Sequence, residues 1–475
     1  MTNAFTSTES RIVNGVKRTM APTYQEIRAQ DQVPGPDEYF GEAPGKAFCG
    51  EAFSVPNSFY FSEEQAQKEA EKLWPNVWRF AGRIEKLPTV GSVFVHDLLD
   101  DSILIVRASE TELRAFRNTC PHRGNQLRKP GSCGVINKFF CPYHGATWNL
   151  DGTTDKWPFP YEFSHFEEGK PGRDLNEVAV EVFDGFIFVC TGEDPMPLLE
   201  YLGALPKYVR RRNWNAMYPV LQVKKPLNCN WKVTVQAFAE GIHIPYTHPQ
   251  GRAVSNVSGT QLDVLSEYVS RALGSGAVSG DTHDKEFTEY EILKSMLSLM
   301  HQDESVLEQM GITPDTPIRA RDVFAQMARA QLQAEMGDKM PDDVADTELL
   351  DNCVFHVFPN TWIINSYGQS GVMTATPDRD PNKSYLTMTW FETNLTDEPN
   401  PEAPEEIVLE PGGNFADYHT PEIGGTDAAA ADQDTDNMEG QQRGLRANPK
   451  GESIFADYAE AALIHQIQTI QKFTG

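Results

Sequence analysis

The sequence predicts an α+β protein: a small all-β domain followed by a larger domain with an antiparallel sheet flanked by helices. Three observations carry that class. Short strand-like runs separated by turn residues crowd the stretch before residue 195, a helical and acidic region occupies 285–350, and strand-like runs return after 350. Strands and helices thus come in blocks rather than in strict βαβ alternation. The corresponding units are an N-terminal extension with a leading helix (1–75), an all-β unit (76–195) and a large mixed unit (196–475).

The first 45 residues carry Pro34, Gly35, Pro36, Pro44 and Gly45 as breakers and read as an extended arm. Ser62 is an N-cap candidate, with Glu63 and Glu64 in the first turn of a short amphipathic helix. From Gly91 the period changes to two. Val93-Phe94-Val95, Ile103 to Val106 and Leu113 to Phe116 are strands, and Asp184-Gly185 is a hairpin turn inside Val178–Val189. The zone 196–345 reads as mainly helical. Val354–Phe358, Trp362–Ile364 and Tyr385–Trp390 are strands of one antiparallel sheet, an acidic loop covers 396–426, and a terminal helix spans about 452–473.

Bulk properties exclude some functions. With 475 residues and 40% hydrophobic content the chain can bury a sizeable core. A formal net charge of −27 argues against nucleic acid, which needs a basic footprint. Solubility is its plain meaning, and an acidic face for a basic redox partner is the sharper one. Residues 1–18 have no apolar core of the signal-peptide kind, and no run is long enough for a membrane span. Seven scattered cysteines do not form a disulfide framework, so a cytoplasmic location is expected.

Two short segments carry metal chemistry. Residues 120–125 read Cys-Pro-His-Arg-Gly-Asn and 141–145 read Cys-Pro-Tyr-His-Gly. Each offers one thiolate and one imidazole, so Cys120, His122, Cys141 and His144 can hold a Rieske-type [2Fe-2S] cluster, cysteines on one iron and histidines on the other. Two cysteines and two histidines can also bind zinc, but zinc motifs pair like with like. Glycines 124 and 145 suit a cluster whose sulfur atoms need close backbone donors.

The segment 230–249 supplies His243 and His248, two nitrogens for a two-histidine, one-carboxylate iron site. Taken as one helix, it places Lys232, Gln236, Glu240 and His243 on a single face, with a bend or end at Pro245. Two unrelated structural histidines are the plain alternative. The acidic run 432–445 offers Asp432, Asp434 and Asp436.

The stretch from Asn118 through Gly152 resembles the Rieske non-haem iron oxygenases, specifically their large (α) subunits, as in aromatic-ring-hydroxylating enzymes. Respiratory Rieske proteins carry an extra cysteine pair; Asn125 and Tyr143 stand at those positions here, and Cys133 cannot bridge alone. Residues 230–249 and 432–445 resemble the family's other signatures. That resemblance implies that 76–195 is the Rieske domain and 196–475 the catalytic domain, with His243, His248 and Asp434 as ligands of a mononuclear Fe(II) and Asn437 nearby. It also implies that Glu240 relays electrons, hydrogen-bonded to a cluster histidine of a neighbouring subunit and to an iron-ligating histidine on its own. Departures are Glu240 for the commoner aspartate, Gln236-Ala237 for Glu-Asn and Ala146 for tryptophan.

The expected activity is hydroxylation, by preference cis-dihydroxylation, of a hydrophobic aromatic compound with O₂. Monooxygenation or oxidative demethylation is the second reading, and an electron carrier without oxygenase activity the third. The chain lacks Gly-x-Gly-x-x-Gly, so the nicotinamide belongs to a separate NAD(P)H-dependent reductase, with or without a ferredoxin. Cross-subunit transfer implies a homotrimer, with or without β subunits. Phe238, Ile242, Phe355 and Trp362 are candidates for the pocket wall, each with core packing as its plainer job.

Overall fold

The computed structural model describes residues 10–13, 16–43, 53–166, 173–280, 286–367, 370–418 and 425–475. The β unit is a seven-stranded sheet in the order 79–83, 186–190, 177–183, 113–117, 101–107, 92–98 and 133–135. The strands at 177–183 and 186–190 meet at Asp184 (φ 45°) and Gly185 (φ 82°), the left-handed pair that a tight two-residue hairpin needs. A separate three-stranded ribbon of 139–140, 147–148 and 154–156 carries the second cysteine–histidine loop at its tip.

The larger unit is built on an eight-stranded sheet in the order 261–266, 269–274, 352–357, 361–365, 370–377, 384–393, 217–227 and 407–408. All pairings are antiparallel except the last, which is parallel. Among the described residues, the zone expected to be mainly helical therefore holds three strands. The strand Met217–Leu227 alternates buried and half-buried residues along its whole length, the period-two pattern of a sheet with one core face.

On the strands at 352–357 and 361–365, His356 lies opposite Trp362 and Phe355 opposite Ile363. Alternation puts Trp362 and His356 on one face and Phe355 on the other, where Phe355 packs beside Tyr208. Phe355 is thus removed from the same wall as Trp362. Phe238 meets Trp362 at 5.8 Å between ring centroids.

Two expectations at the termini are corrected. Residues 20–43 are not an extended arm. Thr23 caps the helix Tyr24–Arg28 with a capping box, and Tyr24, Ile27 and Phe40 are buried. Asp31 receives both Arg319 and Arg321, and Arg271 donates to the Tyr39 carbonyl, so the segment is clamped to the large unit. The breakers punctuate a packed segment. At the other end, Glu452–Phe455 is a strand paired with Phe53–Pro56, and the terminal helix starts only at Ala461. The acidic loop likewise ends in a helix, Gly425–Ala447; residues 419–424 of that loop lie outside the described residues. Among the described residues no helix is long and apolar enough to cross a membrane.

Candidate metal centres

The two cysteine–histidine loops are built alike. Cys120 accepts at its carbonyl from Gly124 N–H (2.9 Å) and donates its own N–H to Asn125 (2.8 Å). Cys141 does the same with Gly145 (3.0 Å) and Ala146 (2.9 Å). The glycines sit at φ 76° and 83°, where a side chain would strain the backbone. Both loops therefore turn back after one residue pair, sulfur inward and imidazole outward.

Cys120 and Cys141 are buried in an apolar cluster with Phe139, Trp148 and Trp157. The Cys120 thiol has the Cys141 thiol and the backbone amides of His122 and Arg123 as its neighbours. Burial raises the Cys120 thiol above its ordinary value, with those amides opposing the rise. His122 and His144 are half-exposed, their ring centroids 4.8 Å apart. Burial, then His144 and the Arg123 charge, lowers the His122 imidazole, which favours the neutral ligating form. Two thiols inside and two imidazoles outside fit a [2Fe-2S] cluster with one iron toward each pair. Cys133 is exposed and unpaired in a disulfide, and Ala146 is buried against the same core.

The second centre lies where three segments meet. The helix Trp231–Ala237 begins at Asn230, whose side chain accepts from Lys232 N–H, and stops at Phe238. Glu240 and His243 fall in the turns that follow, and a new helix, Ile244–Thr247, carries Pro245 in its first turn. The expected single face is therefore broken. Lys232 turns to the buried Glu69 (2.6 Å), and Gln236 accepts from Tyr60 (2.9 Å). Trp231 also donates to Glu69, which sits in a π-helical turn at 69–73, and stacks edge-on against Trp74 at 4.9 Å. This buried clamp fixes the helix that leads into the site.

His243, His248 and Asp434 bring one ligand atom each to within 4.8 Å of one another. Asp434 Oδ1 is 3.0 Å from His248 Nε2 and 3.5 Å from His243 Nε2. Glu240 holds the other side of His243, with Oε1 2.5 Å from Nδ1 and Oε2 accepting the His243 N–H at 3.2 Å. For His248, burial disfavours the charge, but hydrogen bonds with Asp434 and Gln433 outweigh it and raise the imidazole. An ion must displace that proton. Two neutral nitrogens and one carboxylate oxygen, converging from one side, fit an Fe(II) with open positions.

The two rival aspartates lie outside the site. Asp432 takes Lys225 Nζ (2.9 Å) and the N–H groups of Phe415 and Ala416 (2.9 and 3.0 Å), pinning the preceding loop. Asp436 is exposed. Asn437 donates to Thr247 at 2.9 Å and ties the long helix to the His248 segment.

Sequence reasoning missed three neighbours. Gln433 holds His248 Nδ1 at 2.8 Å and accepts from Gln250 at 2.9 Å. Glu460 shares with Glu240 a cavity of about 350 Å³, also lined by Gln236, Glu452 and Phe455. Burial raises Glu460, the Ala456 N–H opposes that rise, and the Glu240 charge adds to it. Gln433 stands beside Asp434 in the acidic run, but nothing in the sequence distinguishes it from an ordinary helical glutamine.

Residues 77–167 match the family described as the Rieske [2Fe-2S] domain, and residues 207–474, more than half of the chain, match the ring hydroxylating alpha subunit (catalytic domain). Similar curated proteins include the glycine betaine monooxygenase oxygenase subunit of Pseudomonas aeruginosa (strain UCBPP-PA14), 26% identical over 42% of this chain and 46% of that protein. The large oxygenase component of the naphthalene 1,2-dioxygenase system of Pseudomonas fluorescens is 26% identical over 64% of each chain. The match thus spans less than half the length of the first of these relatives and about two thirds of the second. Among solved structures, a quaternary ammonium Rieske monooxygenase aligns with a TM-score of 0.61 at 16% identity, covering 88% of this chain and 95% of that one. Naphthalene 1,2-dioxygenase from Rhodococcus sp. aligns with a TM-score of 0.56 at 17% identity, covering 89% and 94%. At such identity the structural likeness speaks to fold alone. With its Rieske domain and catalytic domain both matched, the chain belongs to the Rieske non-haem iron oxygenases, as a large (α) subunit.

Proposed function

We propose that this chain is the terminal oxygenase component of a multicomponent system. In this reading His243, His248 and Asp434 hold a mononuclear Fe(II), and Cys120, His122, Cys141 and His144 hold the Rieske cluster. The observation that carries it is the convergence of three ligand atoms within 4.8 Å, with a carboxylate, Glu240, bound to the far nitrogen of one of them. The bound groups supply O₂ activation and one-electron transfer. The protein supplies the rest: Glu240 orients His243, and the buried Lys232–Glu69 pair holds the helix that leads to both. Electrons come from a ferredoxin or an NAD(P)H-dependent reductase in the cytoplasm. They cross between subunits of a homotrimer, from a cluster histidine to Glu240 of the neighbour.

Hydroxylation of a hydrophobic aromatic ring is the first reading of the substrate. Phe238 and Trp362 give an aromatic wall beside the turns that carry Glu240 and His243. Dihydroxylation consumes O₂, two electrons and two protons and leaves both oxygens on the ring. Monooxygenation of a quaternary ammonium compound is the second reading, favoured by the similarity to the glycine betaine monooxygenase subunit. It consumes the same inputs and returns one oxygen as water; hydroxylation of an N-methyl group would release formaldehyde.

One assay separates these outcomes. The chain, loaded with iron and supplied with a surrogate reductase, is offered aromatic hydrocarbons, aromatic acids and methylated ammonium compounds under ¹⁸O₂. Two labelled oxygens in a diol support the first reading. One labelled oxygen, or formaldehyde, supports the second. Reduction of the cluster with no substrate-dependent O₂ uptake across the panel would leave only electron carriage.

A further inference from the structure

We propose that Gln433, itself held by Gln250, is the positioning residue that fixes His248 as an Nε2 donor facing Asp434 and His243. The inference rests on the metal-site reading above and concerns a residue that the reading does not require.

A neutral imidazole carries one proton, and whichever nitrogen holds it cannot bind a metal ion. His248 Nδ1 lies 2.8 Å from Gln433 Oε1. Gln250 Nε2 lies 2.9 Å from the same oxygen. An amide oxygen has two acceptor sites, and Gln250 fills one of them with an N–H that can only donate. The oxygen of Gln433 thus takes both contacts, one on each acceptor site. The Nδ1 proton is then held by Gln433, which leaves Nε2, 3.0 Å from Asp434 Oδ1, as the nitrogen to take an ion. With the Gln433 amide reversed, the Gln433 and Gln250 donors would face each other and His248 would hold its proton on the wrong nitrogen.

The same contacts join the two segments that must meet. Gln250 follows His248 by two residues in the turn Pro249–Gly251, and Gln433 precedes Asp434 on the long helix. Each segment thus contributes one ligand and one half of the clamp. The backing of the two histidines is also unequal, a carboxylate for His243 and a neutral amide for His248. A carboxylate partner makes an imidazole a stronger donor than an amide does. Gln433 therefore orients His248 without adding a second negative charge, and Glu240 remains the one carboxylate behind an imidazole of the site.

The test uses the full chain with its cluster intact and the mononuclear ion removed by a mild chelator. Co²⁺ is then titrated into wild type, Gln433→Leu, Gln433→Glu and Gln250→Leu, following d–d absorption and the thermal midpoint of the ion-free form. Loss of the acceptor in Gln433→Leu is expected to weaken Co²⁺ binding on the order of 10–100-fold. Gln433→Glu, which keeps an acceptor oxygen, is expected to bind at least as tightly as wild type. Gln250→Leu should weaken binding by a smaller factor, and it carries the test if Gln433→Leu does not fold. Wild-type affinity in both leucine variants overturns the proposal, as does equal weakening in Gln433→Leu and Gln433→Glu, which would mark a packing role. Failure of the wild type itself to take up Co²⁺ would instead refute the metal-site reading.

Discussion

Glu240 and His243 are joined twice within one turn: Oε1 of Glu240 lies 2.5 Å from Nδ1 of His243, and Oε2 accepts the backbone N–H at 3.2 Å. The carboxylate is thus fixed by the histidine it orients. It also lines the cavity that it shares with Glu460. Replacing the charge while keeping the shape tests its role. Glu240→Gln should leave the cluster spectrum intact and slow turnover on the order of 10–100-fold. Turnover with a surrogate reductase, together with the rate at which substrate reoxidises a pre-reduced cluster, measures this; unchanged rates would remove Glu240 from the path.

The acidic run at 432–436 separates by substitution. Asp434→Ala should abolish the third iron and turnover while sparing the cluster. Asp432→Ala should do the reverse: it leaves the Lys225 ammonium buried without its partner and frees the Phe415 and Ala416 amides. Breaking such a pair costs about 3–5 kcal/mol when fully buried, and this one is nearly so. Urea unfolding and iron content, read on both variants, give opposite patterns.

Glycines 124 and 145 hold the two cluster loops at positive φ. Alanine at either position should destabilise its loop by about 1–2 kcal/mol, the cost of a side chain in left-handed backbone. Faster bleaching of cluster absorption in air, with unaltered Co²⁺ uptake at the second centre, is the expected result.

His356 is buried on the Trp362 face, and its imidazole is pushed down to about 3. Burial is the main cause and the His465 charge adds to it, while the Pro359 carbonyl opposes both. Its folded value lies below the ordinary value of about 6.5, so the unfolded chain binds the proton first. The stability contribution is complete above about pH 6.5 and is lost as pH falls toward 3. The urea midpoint should therefore fall between pH 7 and 5 in wild type. In His356→Phe that decline should be shallower; an identical slope would assign it to other groups.

How much of this was legible before the structure depended on distance along the chain. The cysteine–histidine loops are local, each closed by hydrogen bonds spanning four or five residues, and their residue types announced a cluster. The segment 230–249 was read as one helix that bends or ends at Pro245, and its end at Phe238 was not foreseen. The buried partners of Lys232 and Gln236 are Glu69 and Tyr60, more than 160 residues away, and they turn both side chains off the expected face. Likewise residues 20–43 looked unpacked because Asp31 finds Arg321 290 residues later. The strands at 261–266 and 269–274 were hidden because Gln261, Asp263, Ser270 and Arg271 are polar yet buried, as in the Arg271–Asp263 pair. Propensity carries no record of such partners.

The central claim is that two separate iron centres share this chain. Iron and acid-labile sulfide per chain, measured on anaerobically purified wild type and His243→Ala, test it most directly. The account predicts about three irons and two sulfides in the wild type, falling to about two irons and two sulfides in the variant. About two irons in both proteins would contradict it, leaving the cluster with no second centre to serve.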